Sequence, residues 1–266
     1  MSEQIEKDKI YNCDCLEGMK HIPNASIDLV VTSPPYDNLR SYNGTADDWN
    51  FDKFKALADE LARTLKEGGV IVWNVNDATV DGSKTGTSFR QCLYFMEKGL
   101  KLNDTMIWRK TNPMPQVRQP RYAACFEFMF ILSKGKPKAF NPIMRKNKCG
   151  GQEYNSTCKN MGGENGRTKK ELIINTEAVD YNIWDIAVAQ ECTWHPAVFP
   201  FDIPLRHVHS WSNEGDTVLD PFMGSGTTAV ACIKEKRHFI GFELNKDYYD
   251  KACRRIDAER RQLSLF

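Results

Sequence analysis

Apolar and polar positions fall into blocks along this chain, and the period of each block predicts an element. Ile27–Thr32 is a short, mostly apolar run with the length of a buried strand. Phe54, Leu57, Leu61 and Leu65 then recur at spacings of three and four, which predicts an amphipathic helix over Phe51–Glu67, stopped by Gly68-Gly69. Val70–Val75 reads as a second strand, Ser88–Glu97 as a second helix and Leu102–Trp108 as a third strand. This βαβαβ rhythm predicts a parallel sheet with helices on both faces and ligand sites in the loops at the carboxyl ends of the strands. Cys125–Leu132 predicts another strand, after which Lys134–Lys170 turns polar, basic and rich in Gly and Asn. That stretch, Cys149–Gly166 above all, predicts an insert with a mobile loop. The α/β rhythm resumes with a helix over Pro204–Ser212, a strand at Thr217–Leu219, a helix over Thr227–Lys236, a strand at His238–Phe242 and a terminal helix over Tyr248–Arg261. No repeat of fixed period occurs, which argues against a solenoid or propeller.

At 266 residues, 41% hydrophobic and 27% charged, the chain can bury a sizeable core as one large α/β domain with an insert. No apolar run reaches the length of a membrane helix, and the charged start lacks the apolar centre of a signal peptide, so a cytoplasmic location is expected. Nine cysteines form an odd number without a secretion signal, so free thiols are expected rather than a disulfide framework. Cys13 with Cys15, or Cys149 and Cys158 with Cys192 and His195, lack the paired knuckle spacing of a structural zinc site, and no metal is expected. The net charge of +1 conceals an asymmetry: Arg109–Lys170 carries 14 Lys and Arg against 3 Asp and Glu. Such a segment is either a solvated charged face or a surface that neutralises phosphates.

Two motifs carry the chemistry. Asp220-Pro-Phe-Met-Gly-Ser-Gly-Thr-Thr228 follows a predicted strand and opens a predicted helix, with Gly224 and Gly226 where the backbone must turn beside a ligand. Alone, such a turn binds a dinucleotide or simply joins two elements. Glu243, however, ends the next strand, where an acid can accept hydrogen bonds from ribose hydroxyls, pointing to an adenosine-containing cofactor. The phosphate-loop ending Gly-Lys-Ser/Thr is absent, which argues against a nucleoside triphosphatase. The second motif, Thr32-Ser-Pro-Pro-Tyr36, directly follows the first strand. It is either a rigid turn or a rigid receptor, in which the Ser33 hydroxyl and Pro34 carbonyl accept hydrogens from an amino group and Tyr36 offers a flat face for a base.

With Asn12-Cys-Asp-Cys-Leu16, Tyr36-Asp-Asn-Leu-Arg40, Trp108-Arg-Lys-Thr-Asn-Pro113, Trp184-Asp-Ile and His195-Pro-Ala-Val-Phe-Pro200, these motifs resemble the β class of S-adenosylmethionine-dependent DNA amino-methyltransferases (the DNA methylase N-4/N-6 family). Their order is the strongest part of the resemblance, which spans roughly residues 10–256. It implies an α/β fold: a Rossmann-like, mostly parallel methyltransferase sheet with helices on both faces and a basic target-recognition insert. It divides the chain into a catalytic part (1–110), the basic insert (111–180) and a cofactor-binding part (181–266). By the same resemblance Ser33, Pro34, Pro35 and Tyr36 form the catalytic loop. Asp14 would take the adenine amino group with Cys15 beside it, and Phe222 would pack on the adenosyl part. Asp220 and the loop Gly224, Ser225, Gly226 and Thr227 would hold the methionyl part, lined by Pro196 and Phe199, and Glu243 would hold the ribose. Cys13 stands where the family usually has Gly, which alters the surroundings of Asp14. His195 reads as structural. Arg109, Lys110, Arg118, Arg121, Arg145, Lys146 and Lys148 are candidates for contacts to double-stranded DNA.

An exocyclic amino nitrogen is a poor nucleophile because its lone pair is delocalised into the ring, so activation must come from geometry. Two acceptors on its hydrogens favour a tetrahedral nitrogen that can attack a sulfonium methyl in line, with no covalent enzyme intermediate. Methylation at cytosine carbon 5 would need a nucleophilic cysteine in a Pro-Cys pair, and none occurs. In the family, Ser before Pro-Pro-Tyr is commoner among enzymes acting on cytosine N4, so cytosine N4 is favoured and adenine N6 is the alternative. Methylation of RNA or a protein amide, and an inactive DNA-binding homologue, are the remaining readings. A cognate restriction endonuclease as partner and a monomer or homodimer are all compatible with the sequence.

Overall fold

A computed structural model describes residues 5–35, 49–115, 120–158, 168–189 and 198–263. In chain order, the first part holds β1 (Lys9–Tyr11), α1 (Cys15–Met19), β2 (Ile27–Thr32), α2 (Phe51–Thr64) and β3 (Leu65–Val75). There follow β4 (Thr79–Val80), β5 (Ser83–Lys84), α3 (Thr87–Glu97), β6 (Lys101–Lys110) and β7 (Phe126–Ser133). Next come β8 (Met144–Lys146), β9 (Glu153–Cys158), β10 (Thr168–Ile173), β11 (Glu177–Val179) and β12 (Ile183–Ile186). The last part holds α4 (Asp202–Trp211), β13 (Thr217–Asp220), α5 (Thr227–Lys234), β14 (His238–Phe242) and α6 (Lys246–Leu263). Two compact units result, one formed by 1–141 with 182–266 and the other by 142–181.

The larger unit is built on an eight-stranded sheet in the order β1-β14-β13-β2-β3-β7-β6-β12. Its strands run parallel except β7, which lies antiparallel between β3 and β6. On one face α2 and α3 deliver Phe54, Leu57, Leu61 and Phe95 against Val30, Ile71, Trp73 and Phe130. Leu29, Val31 and Val72, which alternate with these, are equally buried, and α4, α5 and α6 pack over β2, β14 and β1. Both faces of the parallel strands are therefore covered, which explains apolar runs rather than strict alternation in β2 and β3. At the amino ends of the strands, Asp28 of β2 accepts from Lys66 Nζ at 2.7 Å and from the Thr217 amide at 3.0 Å, tying β2 to β3 and β13. The stitching lies at one edge, which leaves the carboxyl edge for a ligand.

Two predicted features differ. The helix expected to run to Glu67 ends at Thr64, because Leu65 turns extended and the carbonyls of the last turn find tertiary donors. Ala25 and Ser26 amides take Arg63 and Thr64 oxygens, and Lys134 Nζ takes those of Ala62 and Leu65. The stretch expected as one insert is divided: β7 belongs to the main sheet, while the smaller unit contains the antiparallel pairs β8–β11 and β9–β10. Among the described residues, no helix is long and apolar enough to cross a membrane.

The close contact of α1 with the sheet sets a stability prediction. A Cβ on Gly18 would lie 2.2 Å from the Phe242 ring, deep in the core. Gly18→Ala is expected to lower unfolding stability by about 1–3 kcal/mol, measured by denaturant titration; unchanged stability would show that the ring can move aside.

Candidate active site

Chain direction across the sheet reverses between two neighbouring strands. β2 leads through α2 to β3 on one side, β13 leads through α5 to β14 on the other, and β13 lies against β2. Such a switch point opens a crevice at the carboxyl ends of the strands, where open α/β sheets bind ligands. The ends of β1, β14, β13 and β2 are consecutive along this edge. At roughly 4.8 Å per strand they spread over about 15 Å.

At the β1 end, Asn12 Nδ2 donates to the carbonyls of Glu243 and Leu244, at 2.8 and 3.1 Å, joining this loop to that after β14. Asp14 caps α1, its Oδ1 accepting from the Leu16 amide at 2.7 Å. Burial, aided by Asp14, pushes the Cys15 thiol up to about 12, so it is an inert neutral wall.

At the β14 end, Glu243 holds the glycine loop directly. Its Oε2 accepts from the Gly224 amide at 2.9 Å and its Oε1 from the Asn245 amide at 2.7 Å. Burial outweighs these bonds and pushes its pKa up to about 7. The loop itself needs its glycines, since Gly224 and Gly226 have φ of 52° and 78°. From α6, Arg255 donates to the Ser225 carbonyl at 3.1 Å and to Thr227 Oγ1 at 3.0 Å, while the Ser225 and Thr227 hydroxyls bond each other. Phe222 stands edge-on to Trp49, ring centroids 5.1 Å apart.

Asp220, at the β13 end, is 3% exposed and has three donors. Oδ1 accepts from Thr32 Oγ1 at 2.7 Å and the Phe222 amide at 3.0 Å, and Oδ2 from Thr228 Oγ1 at 2.6 Å. Burial raises its pKa against those bonds. Next door, at the β2 end, Ser33 and Pro35 are half-buried and Pro34 is buried.

The expected cofactor residues Asp14, Cys15, Asp220, Phe222, Gly224, Ser225, Gly226, Thr227 and Glu243 thus line the ends of adjacent strands, beside Ser33 and Pro34. Phe199 is half-buried on the approach to α4. Tyr36, Arg118, His195 and Pro196 lie outside the described residues. Three of the basic candidates are engaged within the protein. Arg109 pairs with Asp185, Lys110 with Glu127 at 2.7 Å, and Arg121 donates to Thr79 Oγ1 and the Gly82 carbonyl. In the smaller unit Lys146 and Lys148 are exposed, and the Arg145 guanidinium stacks 4.0 Å from the Tyr181 ring centroid. Sequence reasoning missed Asn12 as a loop tie, Trp49 and Arg255. Asn12 belongs to a motif already singled out, whereas the other two act through tertiary contacts that no local pattern announces.

The strand-end crevice and glycine loop define the Rossmann-like nucleotide-binding class. Over residues 27–254 the chain matches the family model described as DNA methylase. It is 46% identical over 248 residues to the orphan methyltransferase M.BamHII of Bacillus amyloliquefaciens, covering 89% of this chain and 91% of that one. The chain belongs to the DNA methylase family and is a DNA methyltransferase. Two solved structures share the fold. The PvuII DNA methyltransferase (cytosine-N4-specific) superposes with a TM-score of 0.70 at 21% identity, covering 94% of this chain and 86% of that one. The M1.HpyAVI–SAM complex gives 0.60 at 24% identity, covering 93% and 98%.

Proposed function

We propose that this DNA methyltransferase moves the methyl group of S-adenosylmethionine to the exocyclic N4 of a cytosine rotated out of double-stranded DNA. The observation that carries the reading is the order of strand ends. Asp14 after β1, Glu243 after β14, the glycine loop after β13 and Ser33-Pro34 after β2 follow one another along the crevice. That is the order in which an adenine, a ribose, a methionyl sulfonium and a methyl acceptor would have to lie. The residues fit the cofactor chemically: a half-buried carboxylate for ribose hydroxyls, aromatic Phe222 and Trp49 for the adenosyl part, and positive-φ glycines that let backbone approach.

S-adenosylmethionine supplies, when bound, an electrophilic methyl on a sulfonium. The chain's own part is orientation. The Ser33 hydroxyl and Pro34 carbonyl accept the amino hydrogens and aim the lone pair, Tyr36 stacks the displaced base, and unstacking costs a few kcal/mol. Lys146, Lys148 and Arg145 serve the phosphate backbone or base edges from the smaller unit. Lys110, neutralised by Glu127, is assigned to the fold instead.

Incubation with unmethylated duplex DNA and S-adenosylmethionine, digestion and mass spectrometry of the nucleosides test this reading. N4-methylcytosine is expected. N6-methyladenine would replace the assigned base while keeping the chemistry, and no methylated base on several DNAs would overturn the proposal.

A further inference from the structure

The backbone ladder between β2 and β13 stops short of the site. Its last pairs are Val218 with Leu29 and Leu219 with Val30, whereas β2 continues to pair with β3 as far as Thr32 with Trp73. At the switch point the two central strands therefore have no residue pair beyond Leu219 and Val30, short of Thr32 and of the glycine loop. One side-chain bond takes over there, from Thr32 Oγ1 to Asp220 Oδ1 at 2.7 Å. Both partners are buried, at 0% and 3% exposure. Thr32 immediately precedes Ser33-Pro34. Asp220 in turn grips both flanks of the glycine loop, through the Phe222 amide and the Thr228 hydroxyl. Asp220, expected from the family resemblance to contact the methionyl part, also has three internal donors.

We propose that Thr32 is a positioning residue: through Asp220 it sets the distance and angle between the loop that holds the methyl acceptor and the loop that holds the methyl donor. This rests on the function proposed above. In-line transfer depends steeply on such alignment, and displacements of the order of 1 Å cost up to about a hundredfold in rate. Neither loop needs Thr32 to bind its own ligand. Glu243, Asn245 and Arg255 still order the donor loop, and β3 still holds the end of β2. The Thr32 hydroxyl thus acts between the loops, and its loss separates alignment from affinity.

The test compares Thr32→Val, which keeps shape and removes the donor, with Thr32→Ser, which keeps the donor. Single-turnover methyl transfer with saturating duplex DNA, cofactor affinity by calorimetry and thermal unfolding are measured for each. Thr32→Val is expected to slow transfer by at least about tenfold while the cofactor Kd stays within about threefold, and Thr32→Ser to restore the rate to within about threefold. A merely structural role would lower the melting temperature and leave the transfer rate of the folded fraction intact, which overturns the proposal. So would equal losses of rate and cofactor affinity, or a serine variant as slow as valine. If Thr32→Val does not fold, Thr32→Cys, a weak donor of similar size, must show the same split at smaller amplitude. Absence of methylation by the wild type would sink the functional reading itself; wild-type turnover with variants equal to it would sink only the role of Thr32.

Discussion

Glu243→Ala is expected to weaken S-adenosylmethionine binding by about a hundredfold or more, since hydrogen bonds to a charged acceptor contribute about 1.5–3 kcal/mol each and the ribose presents two hydroxyls. The carboxylate also accepts from the amides of Gly224 and Asn245, so its removal frees the glycine loop as well as the ribose. Titration calorimetry reads the effect directly, and unchanged affinity would remove Glu243 from the cofactor site.

The same residue fixes a pH dependence. Burial raises its pKa from 4.5 to about 7 in the free protein, and in the proposed binding mode ribose hydroxyls would donate to the charged form. Cofactor affinity should fall as the pH drops through about 7, by up to about tenfold per unit, and level off below the lower pKa of the complex. The free fold responds with the opposite sign. A folded pKa above the ordinary 4.5 means that the contribution of this group to stability is full below 4.5 and lost as the pH rises through about 7. In Glu243→Gln both dependences should vanish. Calorimetry from about pH 6 to about pH 8.5 separates this from a general acid effect on the protein.

What the sequence disclosed followed from where its information was local. Buried runs such as Ile27–Thr32 and His238–Phe242, the three-to-four spacing of Phe54, Leu57 and Leu61, and the glycines of the donor loop announce strand, helix and tight turn through their own chemistry. The acid ending the next strand could be placed because strand alternation and loop length fix where Glu243 must lie. Features decided by distant partners stayed hidden. The end of α2 depends on amides from Ala25 and Ser26 and an ammonium from Lys134. The orientation of β7 depends on its two neighbours, and β1 and β12, of three and four residues, are too short to show a period. Charge counting does not show where each charge is engaged, for a related reason. Lys110 contributes to the basic segment on paper, yet register sets Trp108 opposite Glu127 and brings that carboxylate within 2.7 Å of the Lys110 ammonium. The +11 of Arg109–Lys170 already counts Glu127; it is Asp185, outside that segment and paired with Arg109, that takes a further positive charge from it.

Ser33→Ala is expected to slow methyl transfer by about a hundredfold or more while leaving cofactor affinity within about threefold, the size of effect seen when one preorganised hydrogen-bond partner is lost from a reacting group. Ser33 stands one residue beyond β2, whose end is fixed by pairing with β3 and by the Thr32–Asp220 bond, and the next residue, buried Pro34, has a fixed φ and no amide hydrogen. The backbone that carries Ser33 is thus held on both sides. Losing the hydroxyl leaves the Pro34 carbonyl alone on the amino group, which returns the nitrogen toward planarity and its lone pair to the ring. The three variants should separate by signature: Glu243→Ala in affinity, Thr32→Val in rate at about tenfold, Ser33→Ala in rate at about a hundredfold. A Ser33→Ala enzyme that transfers methyl at the wild-type rate would dismiss the hydroxyl as an acceptor. If instead the rate fell in step with cofactor affinity, Ser33 would belong to the donor side of the crevice, and the assignment of β2 to the acceptor would fail with it.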